Sequence, residues 1–223
     1  MKIILRFVLF PLAVLYRIIT SVRNKLYDLQ MRPSVKFDVP VICVGNITVG
    51  GTGKTPMIEH LIRLCSSTYH VATLSRGYGR ATKGFRMATP QDTAASVGDE
   101  PMQFYRKYHN RVKVAVGEDR VFAVPAILQE HEAVNLILLD DGFQHRRLRP
   151  HFSIVLSDYY RPFYKDFLLP AGQLRESRHG VRRADMVVVT KCPTDLQEDE
   201  MMRIEHSIRR YADLPVFFSR IHY

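Results

Sequence analysis

Residues 39–65, VPVICVGNITVGGTGKTPMIEHLIRLC, constrain the chain more than any other stretch. Residues 39–45 are apolar and β-branched without alternation, the pattern of a strand buried on both faces. After the turn, Ile58, Leu61, Ile62 and Cys65 fall at i, i+3, i+4 and i+7, which gives a helix one apolar face. Between them, Gly50, Gly51 and Gly53 let backbone N–H groups turn inward, and the helix N-terminus adds positive partial charge. Strand, glycine turn and helix in this order read as a phosphate-binding loop formed by Val49, Gly50, Gly51, Thr52, Gly53, Lys54 and Thr55. Lys54 is expected to reach the β- and γ-phosphates of a nucleotide, and the Thr55 hydroxyl to ligate magnesium. The loop departs from G-x-x-x-x-G-K-[ST] in one place, with Thr48 at the first glycine position.

The remainder repeats the alternation. HVATLS (70–75), VKVAVG (112–117), VNLILLD (134–140), FSIVLS (152–157), DMVVVTK (185–191) and LPVFFSRI (214–221) read as strands, with helices expected over 101–110, 119–131 and 196–212. Such alternation predicts an α/β fold, a doubly wound, mostly parallel sheet like that of phosphate-loop NTPases. Residues 76–98 show no strong period and read as a long functional loop.

The first 36 residues form a separate segment. Their apolar run is broken by Arg6, Pro11 and Arg17, and its charge-free core, Phe7 to Tyr16, is about half the ~20 residues that span a bilayer. Arg17, Arg23, Lys25, Arg32 and Lys36 follow in place of a small-residue cleavage site. An interfacial helix with cations on anionic headgroups fits this pattern; snorkelling arginines leave deeper insertion open, and a core helix is the plain alternative. The division is therefore 1–36 as a membrane-associating helix and 37–223 as the catalytic domain. A formal charge of +10 favours a polyanionic partner, whether nucleic acid, membrane or phosphorylated substrate. Cys43, Cys65 and Cys192, odd in number and far apart, argue against a disulfide framework or zinc site and read as buried thiols in a reducing compartment.

Two acidic motifs complete the chemistry. VNLILLDDGFQH ends an apolar strand with Asp140 and Asp141, the pattern of a carboxylate near magnesium, and adjacent strand residues point in opposite directions and so take different jobs. SVGDEP places Asp99 and Glu100 before a helix, where Asp99 on its own reads as an N-cap. A guanine-reading [NT]-K-x-D motif would need aspartate at Pro193 of TKCP, so adenine is favoured.

VGGTGKT resembles the deviant loop K-G-G-x-G-K-[ST] of partitioning and division-site ATPases, but Val49 replaces their signature lysine. The set VGNITVGGTGKTP, LSRGYGR, VGDEP, LLDDGFQHRRL and LLPAGQLRE is similar, over essentially the whole chain, to the tetraacyldisaccharide 4'-kinases. That resemblance implies transfer of the ATP γ-phosphoryl group to the 4'-hydroxyl of a tetraacylated glucosamine disaccharide 1-phosphate, with Mg2+, at the cytoplasmic face of the inner membrane. It implies Asp99 as the carboxylate that activates the sugar hydroxyl, and Lys54, Asp140 and Asp141 in the catalytic cluster. Arg76, Arg80, Glu100, Gln144, His145 and Arg175 are implied as substrate contacts, and Thr55, Asp141 and Glu176 as metal ligands. Family chains continue past Tyr223, and the histidine paired with the catalytic carboxylate lies in that further part; its role is not transferred to His145 or His222. The expectation is a fragment of the kinase with weak or no turnover alone. The rival readings are an ATPase switch that binds a protein or nucleic acid, and a non-catalytic membrane-binding module. No nucleic-acid module signature is present, and the lipid kinase motifs leave nucleic acid without a role.

Overall fold

The computed structural model describes residues 2–220, with side chains from residue 9 onward. Arg6 as a side chain, Phe7 at the start of the apolar core, and His222 lie outside the described residues. The chain forms two compact units: residues 34–44 with 54–152, and residues 1–33 with 45–53 and 153–223. This partition differs from a simple cut after residue 36, because the N-terminal helix belongs with the C-terminal third.

In the unit containing 54–152, strands β1 (Val41–Gly45), β2 (Val71–Ser75), β3 (Arg86–Met87), β4 (Val112–Val116) and β5 (Leu136–Asp140) lie in the order β3-β4-β2-β5-β1. All pairs are parallel except β3 with β4. Ile137, Leu138 and Leu139 of β5 are fully buried, as expected of a parallel strand covered on both faces. Helices α2 (Lys54–Cys65), α3 (Ala94–Val97), α4 (Asp99–Tyr108) and α5 (Arg120–Glu130) complete this unit. The periodic face of α2 is inside: Ile58 and Ile62 are fully buried and Leu61 nearly so, while Cys65 is half-buried. Register aligns Val44 with Asp140, so the end of β5 lies beside the strand that feeds the glycine loop.

In the other unit, β6 (Phe152–Asp158), β7 (Met186–Thr190) and β8 (Val216–Phe218) pair in parallel, with α1 (Lys2–Asp28) and α6 (Glu198–Arg209) as its helices. Between β6 and β7 run two 3-10 turns, at Phe163–Lys165 and Arg178–Arg183. Helix α1 is fastened in part by two side chains: Tyr16 Oη donates to the Arg175 carbonyl at 2.7 Å and Asn24 Nδ2 to Glu176 at 3.1 Å. Phe10, Leu12, Val14, Leu15, Ile18, Ile19 and Val22 remain 42–58% exposed. Among the described residues no helix is long and apolar enough to cross a membrane.

Every strand expected from the sequence forms, most of them trimmed by a residue or two at an end; β6 runs one residue longer, and β8 keeps only Val216–Phe218 of 214–221, of which Ile221 lies outside the described residues. The loop over 76–98 is more ordered than expected, since it contains β3 and α3. Its organiser is one buried carboxylate. Asp92 accepts bonds from Arg86 Nε at 2.7 Å, from the Thr89 N–H and hydroxyl at 2.9 Å each, and from the Ser96 hydroxyl at 2.6 Å. Burial works against its charge, but these donors prevail and hold the carboxyl down to about 2. Its contribution is thus complete above the ordinary aspartate range and is lost only as pH falls through about 2. An Asp92→Asn substitution is expected to melt below the native chain at neutral pH, with faster amide exchange confined to 80–97, and the gap should close toward pH 2. Thermal melts across pH and exchange mass spectrometry measure both.

Candidate active site

The glycine loop is built as the sequence demands. Gly50 and Gly53 have φ of +109° and +87°, the region that side-chain-bearing residues avoid. Thr52 is buried, and its hydroxyl accepts from Asn46 Nδ2 at 2.7 Å. The Val49 N–H donates to the Gln173 carbonyl at 2.7 Å, and the Val49 side chain is exposed. Lys54 and Thr55 open α2, so the helix N-terminus faces whatever the loop holds.

Around Lys54 and Thr55 gather three carboxylates. Lys54 Nζ lies 3.7 Å from Asp141 Oδ1, and the Thr55 hydroxyl donates to Glu100 Oε1 at 3.0 Å. Asp141 takes a left-handed backbone, φ +49°, as the chain leaves β5 and its N–H donates to the Val44 carbonyl. Asp140 is 1% exposed, and its Oδ1 has no hydrogen-bond partner. Burial, and then the charges of Glu100 and Asp141, push its carboxyl up to about 7 against the opposing pull of Lys54. The two neighbouring carboxylates differ in setting, one half-exposed beside the lysine, the other buried with one oxygen lacking a hydrogen-bond partner. An orphaned buried oxygen within a cluster of negative charge suits a divalent cation, so the site fits magnesium. Among the described residues no three His, Cys, Asp or Glu side chains form a ready-made metal cage.

Asp99 is the first residue of α4, and Gly98 rather than Asp99 is the N-cap. Gly98 has φ +99°, and a Cβ there would come 3.2 Å from Gly77 Cα and the Tyr78 carbonyl oxygen. This close approach packs the SRGYGR loop on the GDEP turn, so Arg76 and Asp99, both exposed, extend from adjoining backbone. Arg80 differs from Arg76. Its side chain is 2% exposed, with Nη2 paired to Glu118 at 2.7 Å and bonded to the Gly84 carbonyl, which braces the loop. Glu100 stands in the cluster, and Gln144 and His145 lie half-buried in the turn after Asp141. Arg175 and Glu176 belong to the other unit. The Arg175 N–H donates to the Ile47 carbonyl at 2.8 Å, and Glu176 is a buried carboxylate paired with Arg183 at 2.8 Å.

Sequence reasoning missed Arg120. It is 4% exposed, its Nη1 donates to the Glu118 carbonyl at 3.0 Å, and its Nε has no partner. Burial and then the Arg76 cation push its pKa down, while Asp141 and Asp140 oppose them. A buried cation beside the carboxylate cluster offsets part of its charge. No periodic or motif signal marks it, since an arginine opening a helix reads as a surface charge. The thiols are quieter: Cys43 is buried and pushed up to about 12, chiefly by burial, and Cys65 and Cys192 are half-buried rather than buried. All three are free.

The profile of the family described as Tetraacyldisaccharide-1-P 4'-kinase matches residues 5–217. The chain belongs to the tetraacyldisaccharide 4'-kinase family. A relative of that name from Flavobacterium psychrophilum is 49% identical over 221 residues, 98% of this chain and 64% of the relative. One from Bacteroides thetaiotaomicron is 47% identical over 216 residues, 96% of this chain and 57% of the relative. The chain therefore spans about 57–64% of the length of these family members. A crystal structure of the "apo" form of LpxK from Aquifex aeolicus in complex with ATP superposes with a TM-score of 0.83 at 35% identity, over 96% of this chain and 64% of that one. The expected α/β architecture and family membership both hold.

The raised carboxyl gives a pH prediction. Between about pH 4 and pH 7 the unfolded chain releases the Asp140 proton while the folded chain keeps it, so folding loses stability as pH rises through that window and the loss levels off above it. Asp140→Asn removes this penalty. Relative to native, the variant is expected to gain stability from pH 5 to about pH 7 and to hold that gain above it, on the order of a few kcal/mol. Denaturant melts of both proteins across pH measure the gap.

Proposed function

We propose that this chain carries the nucleotide site and acceptor-activating carboxylate of an ATP-dependent kinase. Its acceptor is the 4'-hydroxyl of a tetraacylated glucosamine disaccharide 1-phosphate. The observation that carries this reading is the meeting of Lys54, Thr55, Glu100, Asp140 and Asp141 at one strand end, with Asp99 opening the adjacent helix. Family membership names the acceptor.

In this reading the N–H groups of Gly50 to Thr55 and the ammonium of Lys54 hold the β- and γ-phosphates. Thr55, Asp140 and Asp141 are the magnesium residues of this unit. When bound, magnesium neutralises phosphate charge and orients the transferred group. Binding of that cation favours ionised Asp140. Asp99, exposed at the start of α4, accepts the proton of the sugar hydroxyl as its oxygen bonds to the γ-phosphorus and the bond to the β–γ bridging oxygen breaks, leaving ADP. Lys54 disperses the charge that grows on that bridging oxygen. Arg76, Glu100, Gln144, His145 and Arg175 are the substrate-contact candidates. Arg80 acts through the loop that carries Arg76.

The acceptor is a lipid, and α1 suits a lipid surface. Its exposed apolar residues stand beside the cations Arg17, Arg23 and Lys25, which fits an interfacial helix at the cytoplasmic face of the inner membrane. A cavity of about 320 Å³ between α1 and residues 166–179 is lined by Phe10, Ala13, Val14, Phe167 and Leu174 with Arg17 and Arg178, a setting for acyl chains. The basic surface has a lipid partner in this reading and needs no nucleic acid.

The test is incubation of the full-length protein with γ-labelled ATP, Mg2+ and the acylated disaccharide phosphate. Label is expected in the lipid. Label released only as free phosphate would favour the ATPase-switch reading. Lys54→Ala should reduce transfer by about two orders of magnitude or more, the scale of losing a transition-state charge donor. For the membrane helix, the double variant Ile18→Glu, Ile19→Glu is expected to lower sedimentation with anionic vesicles while leaving the melting temperature within about 2 °C.

A further inference from the structure

The TKCP segment after β7, unneeded for guanine reading, does something else to the phosphate loop. Thr190 Oγ1 donates to the Thr52 carbonyl at 2.8 Å, and Lys191 Nζ donates to the Gly51 carbonyl at 2.5 Å. Two consecutive residues of one strand end thus hold two consecutive carbonyls of the loop. Lys191 is itself held by Asp158 Oδ2 at 2.6 Å. Asp158 is 3% exposed, and its other oxygen accepts the N–H groups of Tyr160 and Arg161 at 2.9 and 3.2 Å. The lysine also adopts φ +59°, a conformation that residues with side chains seldom take and that surrounding contacts must sustain. The Thr190 side chain closes the arrangement, lying 3.6 Å from where a Cβ on Gly53 would stand.

The consequence follows from peptide geometry. In a trans peptide the carbonyl and the following N–H point opposite ways. Turning the Thr52 carbonyl onto Thr190 therefore turns the Gly53 N–H away from β7. The Gly51 carbonyl on Lys191 does the same for the Thr52 N–H, which meets the Gly50 carbonyl at 3.0 Å. An anion-binding loop works only while its N–H groups converge, and each carbonyl held outward keeps one N–H inward.

We propose that Thr190 and Lys191, with Asp158 behind the lysine, are positioning residues that set the phosphate loop for the triphosphate, acting through the loop's carbonyls rather than by touching the base. This rests on the nucleotide-site reading above. The experiment titrates ATP and tripolyphosphate, which lacks a base, into full-length native protein and the variants Lys191→Met, Lys191→Arg, Thr190→Val and Lys54→Ala. Lys191→Met is expected to weaken both ligands by the same factor, about tenfold or more, as loss of a charge-assisted hydrogen bond implies. Lys191→Arg should restore part of the loss, and the KM for the lipid acceptor should not move. Thr190→Val, nearly isosteric and uncharged, removes one loop bond without leaving Asp158 bare, so it answers if Lys191→Met folds poorly; it too should weaken both ligands. Weakening of ATP alone would overturn the proposal in favour of base contact, and unchanged affinity for both ligands in Lys191→Met and Thr190→Val would overturn it outright. Lys54→Ala separates the premise: ATP binding that survives that change would remove the nucleotide reading itself.

Discussion

The crowding of negative charge at the end of β5 governs the rest of the site. Asp140 ends a strand whose residues are all buried, and that burial, followed by the charges of Glu100 and Asp141, raises its carboxyl to about 7. A fold does not keep such a group for stability, because an ionised, unpartnered buried carboxylate weakens it. It makes sense as a site whose charge is completed by what binds. Lys54 supplies one compensating cation and Arg120 a second, more distant one.

Much of this was legible in the residues, and the reasons differ from element to element. The strand–glycine–helix unit was readable because three independent signals coincide there: a buried-strand run, glycines where φ is positive, and an apolar helical face. The carboxylates were readable because they end an apolar run, where the chain must leave the sheet. Order within 76–98 was not, since Asp92 organises it through four donors and no hydrophobic period records that. Arg120 was missed for the same reason, as its burial is a tertiary fact at a position that looks like surface. Asp99 was recognised, but its capping role passed to Gly98, whose contact with Gly77 joins two motifs distant in sequence.

The two units divide the labour within themselves. One brings Lys54, Thr55, Asp99, Glu100, Asp140 and Asp141 onto adjoining strand and helix ends. The other holds the glycine turn from behind through Thr190 and Lys191 and carries α1, whose apolar residues face outward.

The most direct measurement is the proton balance of nucleotide binding. Calorimetric titration of Mg-ATP into the full-length protein at pH 6.5, in buffers of different ionisation enthalpy, counts protons released. An Asp140 that is largely protonated alone and ionised in the complex predicts net release of a fraction of a proton or more, shrinking by pH 8.5 and absent in Asp140→Asn. Release that is zero at pH 6.5, or unchanged by Asp140→Asn, would contradict the claim that this carboxylate waits for the metal.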